Sequence, residues 1–428
     1  MADSTVDGAA NASGNDGVVL AADGLPLKAS LNRALRKSRI RAMLLVSPLL
    51  AFILFSFLIP IFDMTFRSVD NWHVGTLMPK TSLALADWDG KAIPEEPIFA
   101  ALVADLQAGA KSREIGKVGR RLNYEKSGMR SMIMSTARKS KKLKAGPYKA
   151  RVLKMHKKWR DLETWTVIKR NTSPYTIGYY LNAVDMKYDK NGEIVMQKEN
   201  RRIYGKLFLR TFAISLAITV ICVILAYPIS YLLATLPLRY SNLLMIFVLL
   251  PFWTSLLVRT TAWIAMLQSQ GVLNDLFVFF GLVDDANRLQ LIHNLTGTII
   301  AMTHILLPFM VLPLYSVMKT IPPTYMRAAL SLGANPVVAF VRVYMPLTLS
   351  GIGAGSILVF ILSIGYYITP ALVGGTGGTL ISNQIAYHMQ SSLNWGLAGA
   401  LGAILLFSVL AFYLLYNKLV GIDNMKLG

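Results

Sequence analysis

The stretch AMLLVSPLLAFILFSFLIPIFDMTF, from Ala42 to Phe66, decides the fold class of this chain. Its single charged residue is Asp63, close to its far end. At about 1.5 Å of rise per residue, a helix of this length covers the roughly 30 Å hydrocarbon core of a bilayer. Secretory signal peptides also carry basic residues before an apolar run, but their apolar cores hold only about 7–15 residues. The stretch therefore predicts a retained transmembrane helix at 42–66.

Five further apolar runs follow, at 211–236, 243–267, 296–318, 351–373 and 396–416. No Asp, Glu, Lys or Arg occurs from Val343 to Asn417, a stretch too long for one crossing, and the glycine-rich segment 374–378 divides it in two. Only 16% of the 428 residues are charged, against about 25% in soluble domains. We predict an all-α polytopic membrane protein with about six transmembrane helices, its core with the last five helices spanning 207–420.

Lysine and arginine in the short connections predict the orientation of these helices. A basic cluster precedes the first helix, after a segment at 1–30 that we expect to be a disordered cytoplasmic tail. The connections near Arg239, at 319–342 and after Asn417 are also basic, whereas 268–295 holds three aspartates against one arginine. Because basic residues favour the cytoplasmic side, we predict that the N- and C-termini are both cytoplasmic.

The long insert at 67–206 carries 29 Lys plus Arg against 14 Asp plus Glu, and on this topology it lies outside. The rule that basic connections stay inside weakens beyond about 60 residues, so this charge does not overturn the topology. Nucleic-acid binding would need the insert in the cytoplasm, and we expect none. A helical pattern from Lys111 to Trp165, and alternation around Asn191-Gly192, predict a large basic extracytoplasmic α+β insert.

The segment 319–350 would connect two transmembrane helices in the cytoplasm. A short helix can begin after Pro322-Pro323 and end at Gly333, because glycine is a common C-terminal cap. Asn335 can cap a second helix with Pro336 in its first turn, and we expect Pro346 to end that helix. On pattern alone, the segment is either a rigid knob that docks on a cytoplasmic partner or an ordinary amphipathic connection.

The same segment closely resembles the "EAA" loop of permease subunits in ATP-binding-cassette importers, with pattern E-A-A-x-x-x-G, then F and a later L-P. In that family the loop docks on the nucleotide-binding subunit. The first position departs from the pattern, because an arginine replaces the usual glutamate, which suggests a partner with a compensating acidic residue. The coupling-loop residues that this resemblance implies are Arg327, Ala328, Ala329, Gly333, Ala334, Phe340 and Pro346.

The resemblance extends to the spermidine/putrescine permease subfamily over helix 1 and roughly residues 205–420. It is carried by the motifs LPFWTSLLVRTTAW from Leu250, LLPFMVLPLY from Leu306 and AYPISYLLA from Ala226. Membership implies a bacterial inner membrane location, a second homologous permease subunit, cytoplasmic ATPase subunits and a periplasmic solute-binding protein. The subfamily suggests a polyamine, but the basic insert should repel polycations, so opines, amino-acid derivatives and other small solutes stay open.

Four residues are candidates for the translocation path or its gate: Trp253, Arg259, Tyr366 and Tyr367. An arginine within a membrane helix usually faces protein or a water-filled cavity. Arg259 could therefore lie near the path, or it could reach the outer interface or bind backbone carbonyls. The glycine-rich segment after Tyr366-Tyr367 could form part of an outer gate or a plain loop.

The sequence lacks the motifs for nucleotide binding, metal binding and hydrolytic catalysis. The chain has no P-loop, its five histidines fit no metal spacing, and no nucleophile elbow or carboxylate pair stands out. We expect no catalytic site, no metal and no cofactor in this chain. The main alternative is an ion-coupled secondary transporter, which would usually need carboxylates within its helices. The predicted helices hold almost none, and a membrane-bound enzyme would lack an active site.

Overall fold

The computed structural model describes the backbone of residues 27–420 and the side chains of residues 35–418. It divides into two units, Met1–Asp63 and Met64–Gly428. The first unit is one helical run, with α1 at Leu27–Ile53, a π-helical turn at Leu54–Leu58 and the start of α2 at Ile59–Arg67. Of the tail predicted at 1–30, residues 1–26 lie outside the described residues and 27–30 are helical. The basic residues before Ala42 are good helix formers, so the helix begins earlier than the apolar run.

The insert is mainly helical. Its elements are α3 Trp72–Leu77, α4 Pro79–Ala86, α5 Glu96–Lys111, α6 Ile115–Glu125, α7 Met129–Ser140, α8 Tyr148–Met155, a 3-10 turn Lys157–Arg160, α9 Leu162–Arg170, α10 Gly178–Ala183, β1 Met186–Tyr188, β2 Ile194–Met196 and a 3-10 turn Glu199–Arg201. The two strands pair antiparallel around the turn predicted at Asn191-Gly192. Within this fully described segment, strand structure is limited to that hairpin, so the α+β expectation overstated the β content.

The insert has its own hydrophobic core, centred on two tryptophans. The ring centroids of Trp159 and Trp165 lie 5.1 Å apart, and Phe99 packs edge to face on Trp165 at 4.8 Å. Both indole N–H groups are satisfied, since Trp159 donates to the Thr136 hydroxyl and Trp165 donates to the Trp159 carbonyl. Because all three rings are buried, this cluster fixes how α5, α7 and α9 pack.

Three long apolar helices of the second unit could each cross a membrane: α11 Tyr204–Thr235, α15 Leu295–Thr320 and α22 Trp395–Val420. With residues 35–67 there are four such helices in the described part of the chain. Two bent helix pairs raise the number to six if each pair counts as one span. The six predicted crossings therefore correspond to four continuous helices and two bent ones.

The first bent pair corrects the helix predicted at 243–267. It comprises α12 Leu238–Leu249, a 3-10 turn Leu250–Trp253, α13 Leu256–Leu267 and α14 Val272–Phe279, and it bends by 100° at the break. Pro251 lacks an N–H group, and Thr254 and Ser255 are extended. Ser255 then caps α13 by accepting a hydrogen bond from the Val258 N–H at 3.2 Å.

The second bent pair joins the loop at 319–350 to the fifth predicted crossing at an angle of 58°. Its main helix, α19, spans Leu349–Gly365, so the helix predicted at 351–373 ends eight residues early. Tyr366 is extended and the short helix α20 Ile368–Val373 follows, with Pro370 in its first turn. A further helix, α21 Ile381–Gln390, precedes α22.

Helices α11, α15 and α19 form the core of the apolar bundle, with Ile218, Met302, Met310 and Val359 fully buried among them. Glycines let α19 approach α15 closely. A Cβ atom on Gly355 would lie 2.6 Å from Met310 Sδ and 3.2 Å from the Met310 carbonyl oxygen. With Gly351 one turn earlier, this is the small-xxx-small spacing that favours close helix packing in membranes.

Candidate functional site

The loop at 319–350 begins with the helix predicted from its prolines. Helix α16 spans Thr324–Ser331 and ends at Gly333, whose φ of +88° lies in the left-handed region. The Ala334 N–H donates to the Ala329 carbonyl at 3.1 Å, and the Gly333 N–H donates to the Leu330 carbonyl at 3.0 Å. These are the two bonds of a Schellman motif, which requires a residue that tolerates positive φ. Gly333 therefore sets the angle at which the chain leaves α16.

The second helix of the loop begins as predicted but does not end at Pro346. The Asn335 side chain accepts from the Val338 N–H at 2.8 Å, and α17 Pro336–Ala339 follows. The helical path continues through a π turn at Phe340–Tyr344 into α18 Met345–Leu347. The wider π turn lies directly before Met345-Pro346, where proline lacks the N–H of a regular helix. The helix therefore runs past Pro346 and bends at Thr348 into α19.

The outer surface of this loop exposes apolar side chains. Leu332 is 87% exposed and Val337 is 71% exposed, and Tyr325 and Leu330 are also exposed. Arg327 and Ala328 lie exposed on α16, and Arg327 forms no ion pair within the described residues. Exposed apolar side chains grouped on one surface are typical of a protein interaction site.

Beneath this surface, an aromatic cluster joins the loop to the end of α11. Phe340 packs edge to face on Tyr231 at 5.4 Å and on Tyr227 at 6.0 Å, and it stacks on Tyr344 at 5.5 Å. The hydroxyls of Tyr227 and Thr348 lie 3.3 Å apart, within hydrogen-bond distance. Sequence reasoning identified Phe340 but missed the tyrosines. The four-residue spacing of Tyr227 and Tyr231 was a usable signal, because it puts both on one helix face.

At the break between α12 and α13, Arg259 contacts the backbone. Its guanidinium donates to the Thr254 carbonyl oxygen at 3.0 Å and also to the carbonyl of Pro251. These contacts fit the possibility that a membrane arginine binds backbone carbonyls exposed where a helix is interrupted. The Arg259 Nε atom is buried and has no hydrogen-bond partner within the described residues. This N–H group is therefore unsatisfied and shielded from solvent.

The other path candidates do not form one cluster with Arg259. Trp253 lies in the 3-10 turn and is 76% exposed. Tyr366 is half-buried, and its carbonyl accepts from the Ser382 hydroxyl at 2.6 Å, while the Tyr367 carbonyl accepts from the Asn383 amide at 2.7 Å. Helix α21 therefore holds the Tyr366-Tyr367 segment through its backbone.

Three polar residues of this region, His304, Thr260 and Thr369, were not assigned to the path from the sequence. His304 of α15 accepts a hydrogen bond at Nδ1 from the Trp263 indole N–H, at 3.1 Å. His304 also lines an apolar cavity of about 320 Å³ together with Pro251 and Leu307. The Thr260 and Thr369 hydroxyls lie 3.3 Å apart and connect α13 to α20. Isolated polar residues in apolar runs are the signal that could have marked them.

Metal chemistry finds no support in the described residues, where no group of three or more His, Cys, Asp or Glu side chains could hold an ion. The lone cysteine, Cys222, is buried. What the fold defines is a bundle of apolar helices with an exposed, well-packed loop at one end.

Comparisons with known proteins agree with this architecture. Residues 225–421 match the family described as "Binding-protein-dependent transport system inner membrane component". The spermidine/putrescine transport system permease protein PotB of Haemophilus influenzae is 33% identical over 221 residues, which cover 51% of this chain and 77% of that protein. PotB of Escherichia coli is 34% identical over 213 residues, or 50% and 76% of the two chains.

Two further matches extend this comparison. The inner membrane ABC transporter permease protein YdcU of Escherichia coli is 33% identical over 230 residues, covering 50% of this chain and 71% of that protein. Among solved structures, a bacterial alginate ABC transporter in complex with an alginate pentasaccharide-bound periplasmic protein aligns with a TM-score of 0.42. The identity is 18%, over 52% of this chain and 78% of that chain.

The molecule is thus a multi-pass permease rather than an enzyme, and an ion-coupled carrier is not favoured. The chain belongs to the family of binding-protein-dependent transport system inner membrane components, and it is a translocation subunit of an ATP-binding-cassette importer in the inner membrane.

Proposed function

We propose that residues 319–350 are the coupling loop through which a separate ATPase subunit drives this permease. The observation that carries the proposal is the combination of an exposed apolar surface on α16 and α17 with the aromatic cluster beneath it. An interaction site needs accessible apolar area. A loop that transmits motion must also be packed rigidly against the helix that it moves. The loop has both properties.

The outer residues of the loop would contact the ATPase. The small side chains of Ala328 and Ala329 allow close approach of a partner, and Leu332 and Val337 supply apolar area. Arg327 stands where the family pattern has glutamate, so we expect its partner to present an acidic residue there. Such a pair would favour the matched ATPase over one whose surface is shaped for a glutamate.

The aromatic cluster would transmit the motion. Closure of two ATPase subunits on ATP would displace α16, and Phe340 would pass that displacement to Tyr227 and Tyr231 of α11. Packed aromatic rings resist compression, so a shift of the loop becomes a shift of the helix. The bend at Thr348 would carry the same motion into α19, and the bundle would open toward the outside.

The complete importer would contain further components. By the family pattern, this chain pairs with a second homologous permease subunit, and a periplasmic binding protein delivers the solute. Both termini would be cytoplasmic, and the basic insert would lie on the outer side, where the binding protein docks. The chain itself would need no cofactor.

The translocation path would pass the break between α12 and α13. Arg259 would stand beside the path at this break, and Tyr366 would stand beside it at the end of α19. Trp253, exposed in the single chain, and Tyr367 would complete the path or face the second permease subunit. The backbone contacts of Arg259 support a second role, in which this residue mainly stabilises the broken helix.

The substrate would be a small solute. The relatives named as spermidine/putrescine permeases support a polyamine. The excess of basic residues in the insert opposes a polycation and favours an anionic or zwitterionic solute such as an opine or amino-acid derivative, although screening over about 8–10 Å weakens this effect. Competition for uptake between labelled spermidine and an opine would separate these two classes.

The docking role is tested by co-purification with the ATPase subunit. Leu332→Asp puts a charge on the proposed interface and should abolish the association. The matched control is Leu83→Asp, because Leu83 is 77% exposed on α4 of the insert and lies far from the loop in sequence. Equal retention of the ATPase by both variants would contradict the proposal.

A further inference from the structure

The insert and the segment before α22 together line a cavity of about 270 Å³ that the proposed function does not use. One wall comes from the end of α2, the start of α3 and the exposed face of α6. The opposite wall comes from residues 393–396, at the start of α22. Because α2 ends one apolar span and α22 begins another, the cavity lies at the level where these helices leave their apolar stretches.

Four of the fourteen residues that line the cavity are cationic. Arg67, Lys117, Arg120 and Arg121 line it, and Asp70 is the one carboxylate among its lining residues. Charges of one sign in a partly enclosed space reinforce one another and attract a counter-ion. The enclosed space therefore favours an anion.

Two of these arginines are held in place by other groups. The Arg121 side chain is only 4% exposed; its Nε donates to Asn71 Oδ1 at 2.6 Å, and its Nη2 pairs with Glu125 at 2.9 Å. Its guanidinium also lies 4.8 Å from the centroid of the Tyr179 ring, and that of Arg67 lies 5.9 Å from the Trp395 ring. The guanidinium groups of Arg121 and Arg67 are thus held in place by the residues around them.

Arg120 differs from its neighbours because it is exposed and forms no ion pair or hydrogen bond within the described residues. Lys117 pairs with Glu114 at 2.6 Å on the rim. Arg120 therefore presents a planar set of donors to the cavity. Such a set matches the oxygens of a phosphate group.

The positive charges around the cavity also act on the imidazole of His73, which is one of the lining residues. Burial lowers the pKa of His73, and the charges of Lys117, Arg121 and Arg120 lower it further, although Asp70 acts in the opposite direction. His73 therefore stays neutral near pH 7 and can still donate one hydrogen bond to a bound anion.

We propose that this cavity is a binding site for a phosphate-bearing anion of headgroup size, held by Arg120 and Lys117 against the fixed wall of Arg121. Sites for drug-sized ligands usually measure about 300–1,000 Å³, so this cavity suits a smaller group. Tryptophan at an apolar boundary is typical of residues that contact lipid headgroups. The phosphate is carried either by an anionic lipid or by a soluble anion.

The test uses the purified full chain in phosphatidylcholine nanodiscs, with thermal unfolding as the readout. Inorganic phosphate is added in one arm, and phosphatidylglycerol is included in the nanodiscs in the other. The variant is Arg120→Ala, and the control is Arg160→Ala, an exposed arginine of the insert outside the cavity lining. Both variants remove one surface charge and leave the core untouched.

We expect wild type and Arg160→Ala to be stabilised in one arm, and the apparent affinity of Arg120→Ala to fall at least about tenfold. Stabilisation by inorganic phosphate identifies a soluble ligand, and stabilisation by phosphatidylglycerol alone identifies a lipid. Two results would overturn the proposal: no stabilisation of wild type in either arm, or equal losses in both variants, which would indicate diffuse attraction to the basic insert.

Discussion

Phe340 of the loop at 319–350 packs edge to face against Tyr231 of α11, with ring centroids 5.4 Å apart and ring planes at 90°. These residues are more than 100 positions apart in the chain. Their contact joins the surface that we assign to the ATPase with a helix at the centre of the bundle. The mechanism proposed for this permease depends on that contact.

Phe340→Ala should uncouple the permease without preventing its insertion. Each edge-to-face pair contributes about 0.5–1.5 kcal/mol beyond the burial of its area, and the substitution removes two of them. We expect transport to fall roughly tenfold, within the range of typical coupling free energies. Phe212→Ala, which removes an aromatic contact between α11 and α22 at 5.1 Å, is the control. Equal transport by the two variants would argue against a special role for Phe340.

Trp165→Ala should destabilise the insert by about 3–5 kcal/mol, because it empties the centre of a closely packed core. Hydrogen exchange followed by mass spectrometry would detect faster exchange in α5, α7 and α9. Trp72→Ala is the control, since Trp72 is largely exposed. If both variants exchanged at the same rate as wild type, the insert core would not be organised around Trp165.

Glu125 should make the insert sensitive to acid. Burial acts to raise the pKa of this carboxyl, but Arg121 and Arg170 outweigh it and leave the pKa below the ordinary value of 4.5. Because the pKa of Glu125 is lower in the folded state, its ionised carboxylate stabilises the fold. This contribution is complete above about pH 4.5 and is lost as the pH falls through the folded-state pKa. Tryptophan fluorescence of wild type should show this loss.

Glu125→Gln tests at neutral pH whether the ionised carboxylate of Glu125 stabilises the insert. Removing the carboxylate leaves the buried Arg121 without its ion-pair partner, which typically costs about 3–5 kcal/mol. The variant should be less stable than wild type at pH 7 and should lack the Glu125 part of the acid transition. An unchanged acid transition in the variant would assign that transition to other carboxylates.

Gly355→Ala should disturb the packing of α19 on α15. The added Cβ would lie 2.6 Å from Met310 Sδ and 3.2 Å from a backbone oxygen, so the helices must separate, at a cost of about 1–3 kcal/mol. Gly365→Ala on the same helix meets no atom within 4 Å and serves as the control. Thermal unfolding in detergent should lower the Tm of the first variant only. A Tm equal to that of the control would show that α15 adapts without loss.

Local chemistry made part of this structure predictable. The end of α16 followed from Gly333 and the start of α17 from Asn335, because caps depend on residues close in sequence. The hairpin around Asn191-Gly192 followed for the same reason. The apolar runs located the membrane helices, since burial of about 20 consecutive apolar residues leaves few alternatives.

Features that depend on distant contacts were not predictable. The 100° break near Pro251 is compatible with this fold because Arg259 reaches back to the carbonyls of Pro251 and Thr254. The helix through Pro346 persists because a π turn precedes the proline. Tyr231 could not be paired with Phe340 from pattern alone, because nothing in either local sequence specifies the other.

The most direct test of the coupling role is ATP hydrolysis by the permease and its ATPase partner in proteoliposomes with binding protein and solute. Gly333→Val should abolish solute-stimulated hydrolysis, because a β-branched residue is strained at φ +88° and the loop would leave α16 at a different angle. Gly192→Val is matched, since Gly192 has φ +87° and equally open surroundings in the insert. We predict normal stimulation in Gly192→Val and none in Gly333→Val; normal stimulation in both would contradict the account.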